Sequence, residues 1–269
     1  MTLPSLLDKL WIVSRRDLLT AVRYRLGFGL LAIGLLADLA AFYYLARAIG
    51  PQFRPDGVAY YQFLVVGTAL FGFLIAGVNG CVTTVRDAQL TGTMEVLMTT
   101  ATPAPVIVFL STFSTFAGRT LYLLFYVGAG LLLFGVQPQN PNLAACAVTY
   151  LLFLIFALAM GVVAAAIQLH LQKGAGVVVL LASFSGFLSG TMFPVSALPT
   201  PLRYVANLSP LTHALNATRT ALFQGAPWQD LAGPISALAL FDLLLLPASL
   251  VLFARALRYA RLQGTLSFC

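Results

Sequence analysis

Two carboxylates lie where a charge is expensive. Asp38 falls near the middle of one long apolar stretch and Asp242 near the middle of another. At the centre of a bilayer such a group costs roughly 2.5–3.5 kcal/mol on insertion scales. Each must therefore be neutral, paired or facing water. The chemistry open to them is the lining of a polar translocation path or a proton relay; the alternative is packing as hydrogen-bonded neutral side chains. Glu95, the single glutamate of the chain, sits elsewhere, in the stretch Thr91-Gly-Thr-Met-Glu-Val-Leu-Met-Thr-Thr100. That stretch reads as a short helix. Thr91 or Thr93 can cap it, Glu95 lies in its first turns and Pro103 ends it.

Other chemistries lack their residues. The only lysines are Lys9 and Lys173, and neither ends a Gly-x-x-x-x-Gly-Lys-[Ser/Thr] loop, so the chain holds no nucleotide by that device. His170 and His213 are far apart, and no His-Glu-x-x-His or Gly-x-Ser-x-Gly pattern occurs. Cys81, Cys146 and Cys269 are scattered and odd in number, which specifies neither a disulfide framework nor a metal site. No catalytic set, metal site or cofactor site on this chain is expected.

The elements that must position Asp38, Asp242 and Glu95 follow from composition. Apolar residues make up 60% of the chain and charged residues 9%, against about a quarter charged in a soluble domain. One aqueous core cannot hide that surface, so lipid must cover it. The apolar runs lack the alternation of barrel strands, and helices of roughly 20 residues are the way to span. The expected fold is an all-α membrane protein with six transmembrane helices at about 26–48, 60–82, 105–136, 143–169, 175–195 and 232–254. Lys9, Arg15, Arg16, Arg23, Arg25, Arg86, Lys173, Arg255, Arg258 and Arg261 fall on one side; Arg47, Arg54, Arg203 and Arg219 fall on the other. The positive-inside rule then places both termini in the cytoplasm. Arg119 is expected near the cytoplasmic interface, where it can snorkel. The net charge of +7 suits topology and lipid headgroups rather than nucleic acid.

Three connections stand out. Residues 1–25 interleave Leu3, Leu6, Leu7, Leu10 and Trp11 with charges, the pattern of an amphipathic helix lying in the interface rather than a signal peptide. Residues 83–103 form the main inner loop around Glu95. Residues 196–231, punctuated by Pro199, Pro201 and Pro210, hold two apolar pieces, Leu202–Leu208 and Leu211–Phe223. They are too short to span and too apolar for an open loop, so a re-entrant helical hairpin in the outer leaflet is expected. Residues 232–269 then carry span six and a tail. Gly186 and Gly190 have the Gly-xxx-Gly spacing of close helix packing.

Two stretches resemble the ABC-2 type transporter permease family. Gly92-Thr-Met-Glu-Val-Leu-Met-Thr-Thr-Ala-Thr-Pro103 is similar to its inner-loop pattern. The run from Leu188-Ser-Gly-Thr-Met-Phe-Pro194 through Leu198-Pro199 and Leu202-Arg203 to Asn207-Leu-Ser-Pro-Leu-Thr212 and Arg219 is similar to its outer segment, with Ser209 interrupting the usual Asn-Pro pair. The resemblance implies a single transmembrane domain over 1–269 in the plasma or bacterial inner membrane. It also implies a separate ATP-binding cassette subunit, in two copies, carrying ATP and Mg. Thr93, Met94, Glu95, Leu97 and Met98 would form the helix that couples to it. A second permease, identical or homologous, would complete the path, with Gly186 and Gly190 packing at the seam. Related permeases move amphiphilic drugs, glycolipids and polysaccharides, or peptides. A competing reading from the residues alone is a proton-coupled secondary transporter using Asp38 and Asp242, which would need no partner ATPase.

Overall fold

The computed structural model describes residues 25–92, 104–134, 138, 140–171 and 175–263. Among them there are eight α-helices and no strand: α1 (Arg25–Ile49), α2 (Tyr60–Leu90), α3 (Ala104–Leu133), α4 (Leu143–Leu171), α5 (Ala175–Leu188), α6 (Thr200–Asn207), α7 (Pro210–Phe223) and α8 (Trp228–Gln263). Five of these, α1, α2, α3, α4 and α8, are long and apolar enough to cross a membrane. Helix is the form such runs take in hydrocarbon because it satisfies every backbone N–H and C=O within the segment. The interface helix expected before Arg25 and the tail after Gln263 lie outside the described residues.

Helix ends differ from the expected spans for local reasons. α2 continues to Leu90 because Arg86, Asp87 and Gln89 are compatible with helix once it has left lipid. It stops where Gly92 takes φ +66, a conformation that favours glycine. There the Thr91 amide donates to the Asp87 carbonyl at 2.9 Å and the Thr91 hydroxyl to the same oxygen at 2.7 Å. Thr91 thus closes α2, and the Glu95 helix expected after it lies outside the described residues. α5 has 14 residues, about 21 Å at 1.5 Å per residue, short of a hydrocarbon layer of about 30 Å. The expected fifth span ran to residue 195, but the helix ends at Leu188 and Gly190 turns the chain with φ +80.

α2 is the central strut. It runs antiparallel to α3: the Tyr61 hydroxyl donates to the Gly130 carbonyl at 3.0 Å near one end, and Gly77 abuts Phe116 further along. Phe73 joins three helices, its ring centroid 5.3 Å from Phe116 and 5.9 Å from Phe153. α4 packs most extensively against α8. The pair is parallel, since Ala145 and Leu231 share a cluster at one end while His170 and Tyr259 rings meet at 4.8 Å at the other. The short α7 is drawn into this bundle, with Leu211, Ala214, Leu215, Ala217 and Ala221 fully buried. Ser189 and Ser209 hydroxyls, 2.8 Å apart, tie the end of α5 to the α6–α7 turn. The two apolar pieces of the outer segment are therefore helical, starting two residues and one residue earlier than Leu202 and Leu211, each with a proline in its first turn.

Candidate functional site

Small and polar residues recur along one face of α2: Thr68, Gly72, Ala76, Asn79, Gly80, Thr83 and Thr84. Spacings of three and four residues align them on one side of a helix. In the fold this face forms the floor of a trough with two cavities. The first, of about 210 Å³, is walled by Asp38 and Phe42 of α1 and by Arg119, Tyr122, Leu123 and Tyr126 of α3. The second, of about 540 Å³, continues along α2 past Asn79 to Thr83 and Thr84. Gly72 and Arg119 line both. From Thr68 to Thr84 the trough runs about 24 Å at helical rise. It heads toward the end of α2 that leads into residues 93–103.

Asp38 and Arg119 are both exposed and line the first cavity from different helices. No ion pair within 4 Å joins described residues, so the carboxylate and the guanidinium face the same space without neutralising each other at contact. Hydroxyls line the same cavity: Thr68 Oγ1 donates to the Leu64 carbonyl at 2.8 Å and lies 3.4 Å from Tyr126 Oη. Arg119 is level with Gly72, about 27 Å by helical rise from the Leu90 end of α2, and lies three residues into the apolar stretch Phe116–Leu133.

Asp242 stands apart. It is 6% exposed, neither of its oxygens has a hydrogen-bond partner among the described residues, and it lines neither cavity. It lies in α8 between Pro234 and Pro247. Asp38 and Asp242 therefore do not share one polar space.

A second cluster, one that sequence reasoning did not single out as a site, centres on Arg219 of α7. The residue is 2% exposed. Nη2 donates to the Phe63 carbonyl at 2.9 Å and to the Thr191 carbonyl at 3.2 Å, and Cζ lies 3.4 Å from the centroid of the Phe63 ring. One cation thus latches α7, the start of α2 and the turn after α5. The sequence carried a signal for it: Arg219 shares its helix face with Leu215, Leu222 and Phe223, three and four residues away. Gly67 makes the fit possible, since a Cβ there would run into the Thr191 carbonyl and lie 2.6 Å from Arg219 Nη2. Gly67→Val is expected to destabilise the chain by about 1–3 kcal/mol, the usual cost of overpacking. Gly128→Ala, whose Cβ meets nothing within 4 Å, should not. Thermal melts of the two purified variants check this.

Gly186 and Gly190 have work within the chain. A Cβ on Gly186 would collide with the Phe71 ring of α2, so this glycine lets α5 approach α2 closely, and Gly190 makes the turn that ends α5. Thr93, Met94, Glu95, Leu97 and Met98 lie outside the described residues. Residues 8–223 match the family described as ABC-2 type transporter. That range holds the trough, the segment with Glu95 and the Arg219 latch, and it ends where α7 ends. A comparison with curated proteins finds no match.

Proposed function

The chain belongs to the ABC-2 type transporter family, and we propose that it forms the translocation path of an ATP-driven exporter. Membership makes it the membrane permease component of an ABC-type transporter, a transport subunit rather than an enzyme. The observation that carries the finer reading is the trough: opposite charges and hydroxyls line a groove between α1, α2 and α3, three helices long and apolar enough to cross a membrane, and polar groups within such helices are retained for a pathway.

In this reading the end of the bundle that leads into residues 93–103 is cytoplasmic, as are both termini. α5 counts as a short sixth span, accommodated by local thinning of the bilayer. The α6–α7 pair dips into the outer leaflet as a re-entrant hairpin. ATP and Mg are held by a separate cassette subunit, one copy per permease, docked on Thr93, Met94, Glu95, Leu97 and Met98. Two permeases face each other, identical or homologous. Since Gly186 is occupied by Phe71 of its own chain, the seam is carried by the exposed face of α5, where Leu180, Phe184 and Phe187 project. A proton-coupled carrier is less well supported, because Asp38 and Asp242 do not line one cavity.

The test is functional isolation. The tagged full-length chain, extracted from its native membrane, is expected to bring down an ATP-binding protein in equal amount, and vesicles holding both are expected to transport only with ATP and Mg. Transport by the chain alone, driven by a proton gradient, would overturn this reading.

A further inference from the structure

The geometry points to a zwitterionic amphiphile as the cargo of the trough: a molecule with an apolar tail and a headgroup that carries both an ammonium and a phosphate. This inference rests on the permease reading above and adds the substrate class.

The charges argue for two opposite groups on one ligand. Asp38 projects from α1 and Arg119 from α3 into one cavity, and they form no ion pair within 4 Å. A purely cationic guest would satisfy the carboxylate and leave the guanidinium unpaired; a purely anionic guest would do the reverse. Either leaves one charge of the cavity uncompensated. A guest with both groups compensates both walls at once.

The identity of each group follows from what surrounds it. Phe42, Tyr122 and Tyr126 line the same cavity as Asp38. Aromatic faces around a carboxylate recognise an alkylated ammonium through cation–π attraction. Arg119 stands at the junction of the two cavities, and its planar fork of donors matches the oxygens of a phosphate better than an ammonium donor would. The first cavity, about 210 Å³, is of the size of a lipid headgroup.

The tail follows from location. Both cavities are lined by α2 and α3, helices long and apolar enough to cross a membrane, with Leu123, Ile75 and Ala76 among their walls. A headgroup can travel along Thr84, Thr83 and Asn79 while its tail remains in hydrocarbon. A free, tail-less headgroup would forgo that apolar contact.

The full-length chain in nanodiscs of an anionic lipid is the material, and equilibrium binding of radiolabelled probes is the readout. Hexadecylphosphocholine is compared with hexadecyltrimethylammonium and hexadecyl phosphate, which share its tail, and with tail-less phosphocholine. The zwitterion is expected to bind at least about tenfold more tightly than each of the other three. Asp38→Asn should erase its advantage over the phosphate, and Arg119→Gln its advantage over the ammonium. Gly72→Trp, which builds a side chain into open space where the cavities join, should abolish binding of all probes. The exchange of Asp38→Arg with Arg119→Asp keeps both charges in the cavity and should restore preference for the zwitterion, which a merely misfolded variant would not do. Equal binding of the three tailed probes, or equal binding of phosphocholine with and without its tail, would overturn the assignment. Because binding is read on the permease without its ATPase, this result stands or falls separately from the pull-down and the ATP dependence.

Discussion

Arg219→Ala is expected to lower the stability of the permease by about 3 kcal/mol and its melting temperature by on the order of 10 °C. The figure is a difference of larger quantities. The alanine loses a desolvated cation–π contact with Phe63, worth about 2 kcal/mol, and two hydrogen bonds from a charged donor, worth about 1.5–3 kcal/mol each. It also relieves the desolvation of the guanidinium, several kcal/mol, and leaves a cavity among α2, α5 and α7. Lysine keeps the charge but cannot lie flat on the Phe63 ring or place a planar fork between two carbonyls. Arg219→Lys is therefore expected between wild type and alanine. Size-exclusion profiles and melts of detergent-solubilised protein separate the three. If Arg219→Met is as stable as wild type, volume alone held the site together and the electrostatic explanation fails.

The latch shows why parts of this fold were legible and others were not. Apolar run length marks where lipid must be, so the start of α1 at Arg25 and of α4 at Leu143 fall within a residue of the expected spans. Run length says nothing about helix that continues into water, and α2 and α8 therefore extend past their expected ends. α5 stops early because Gly190 adopts φ +80, a backbone choice that hydropathy does not register. The proline-punctuated outer segment was readable as two short helices, since prolines in first turns are a local signal. That α7 turns its arginine inward was not. Burial of Arg219 depends on the Phe63 and Thr191 carbonyls converging from distant parts of the chain, with Gly67 leaving the space.

The trough was half legible for the same reason. Asp38 was marked by its position in an apolar stretch, and the small polar face of α2 is periodic in the sequence. The meeting of Asp38 with Arg119 is a tertiary fact. Each residue alone looked like a charge needing an escape to water, and the common cavity is what removes that need. Asp242, marked by the same argument as Asp38, lies in a different environment altogether.

Glu95→Arg is expected to abolish transport while leaving membrane insertion intact. In the proposed assembly the carboxylate pairs with a basic group of the ATP-binding subunit, between the adaptable apolar contacts of Met94, Leu97 and Met98. Reversal removes that attraction and sets two cations against each other in a docked interface. Truncating such a pair costs 2–5 kcal/mol, and a loss of about 4 kcal/mol is roughly a thousandfold in affinity. The consequence reaches the path because of where this segment is tied. Residues 93–103 join the end of α2 to the start of α3. These helices are the floor of the trough and the wall that bears Arg119, Tyr122 and Tyr126. A displacement imposed on the segment by closure of the ATPase subunits changes the spacing of that floor and wall directly, as rigid helices moving about an interface do. The variant should reach the membrane at wild-type level, fail to co-purify the ATP-binding subunit and lose ATP-driven transport together. Glu95→Gln, which retains hydrogen bonding without the charge, should weaken co-purification only in part. A Glu95→Arg chain that still stimulates its partner's ATPase and transports would show that the power stroke enters the trough by another route.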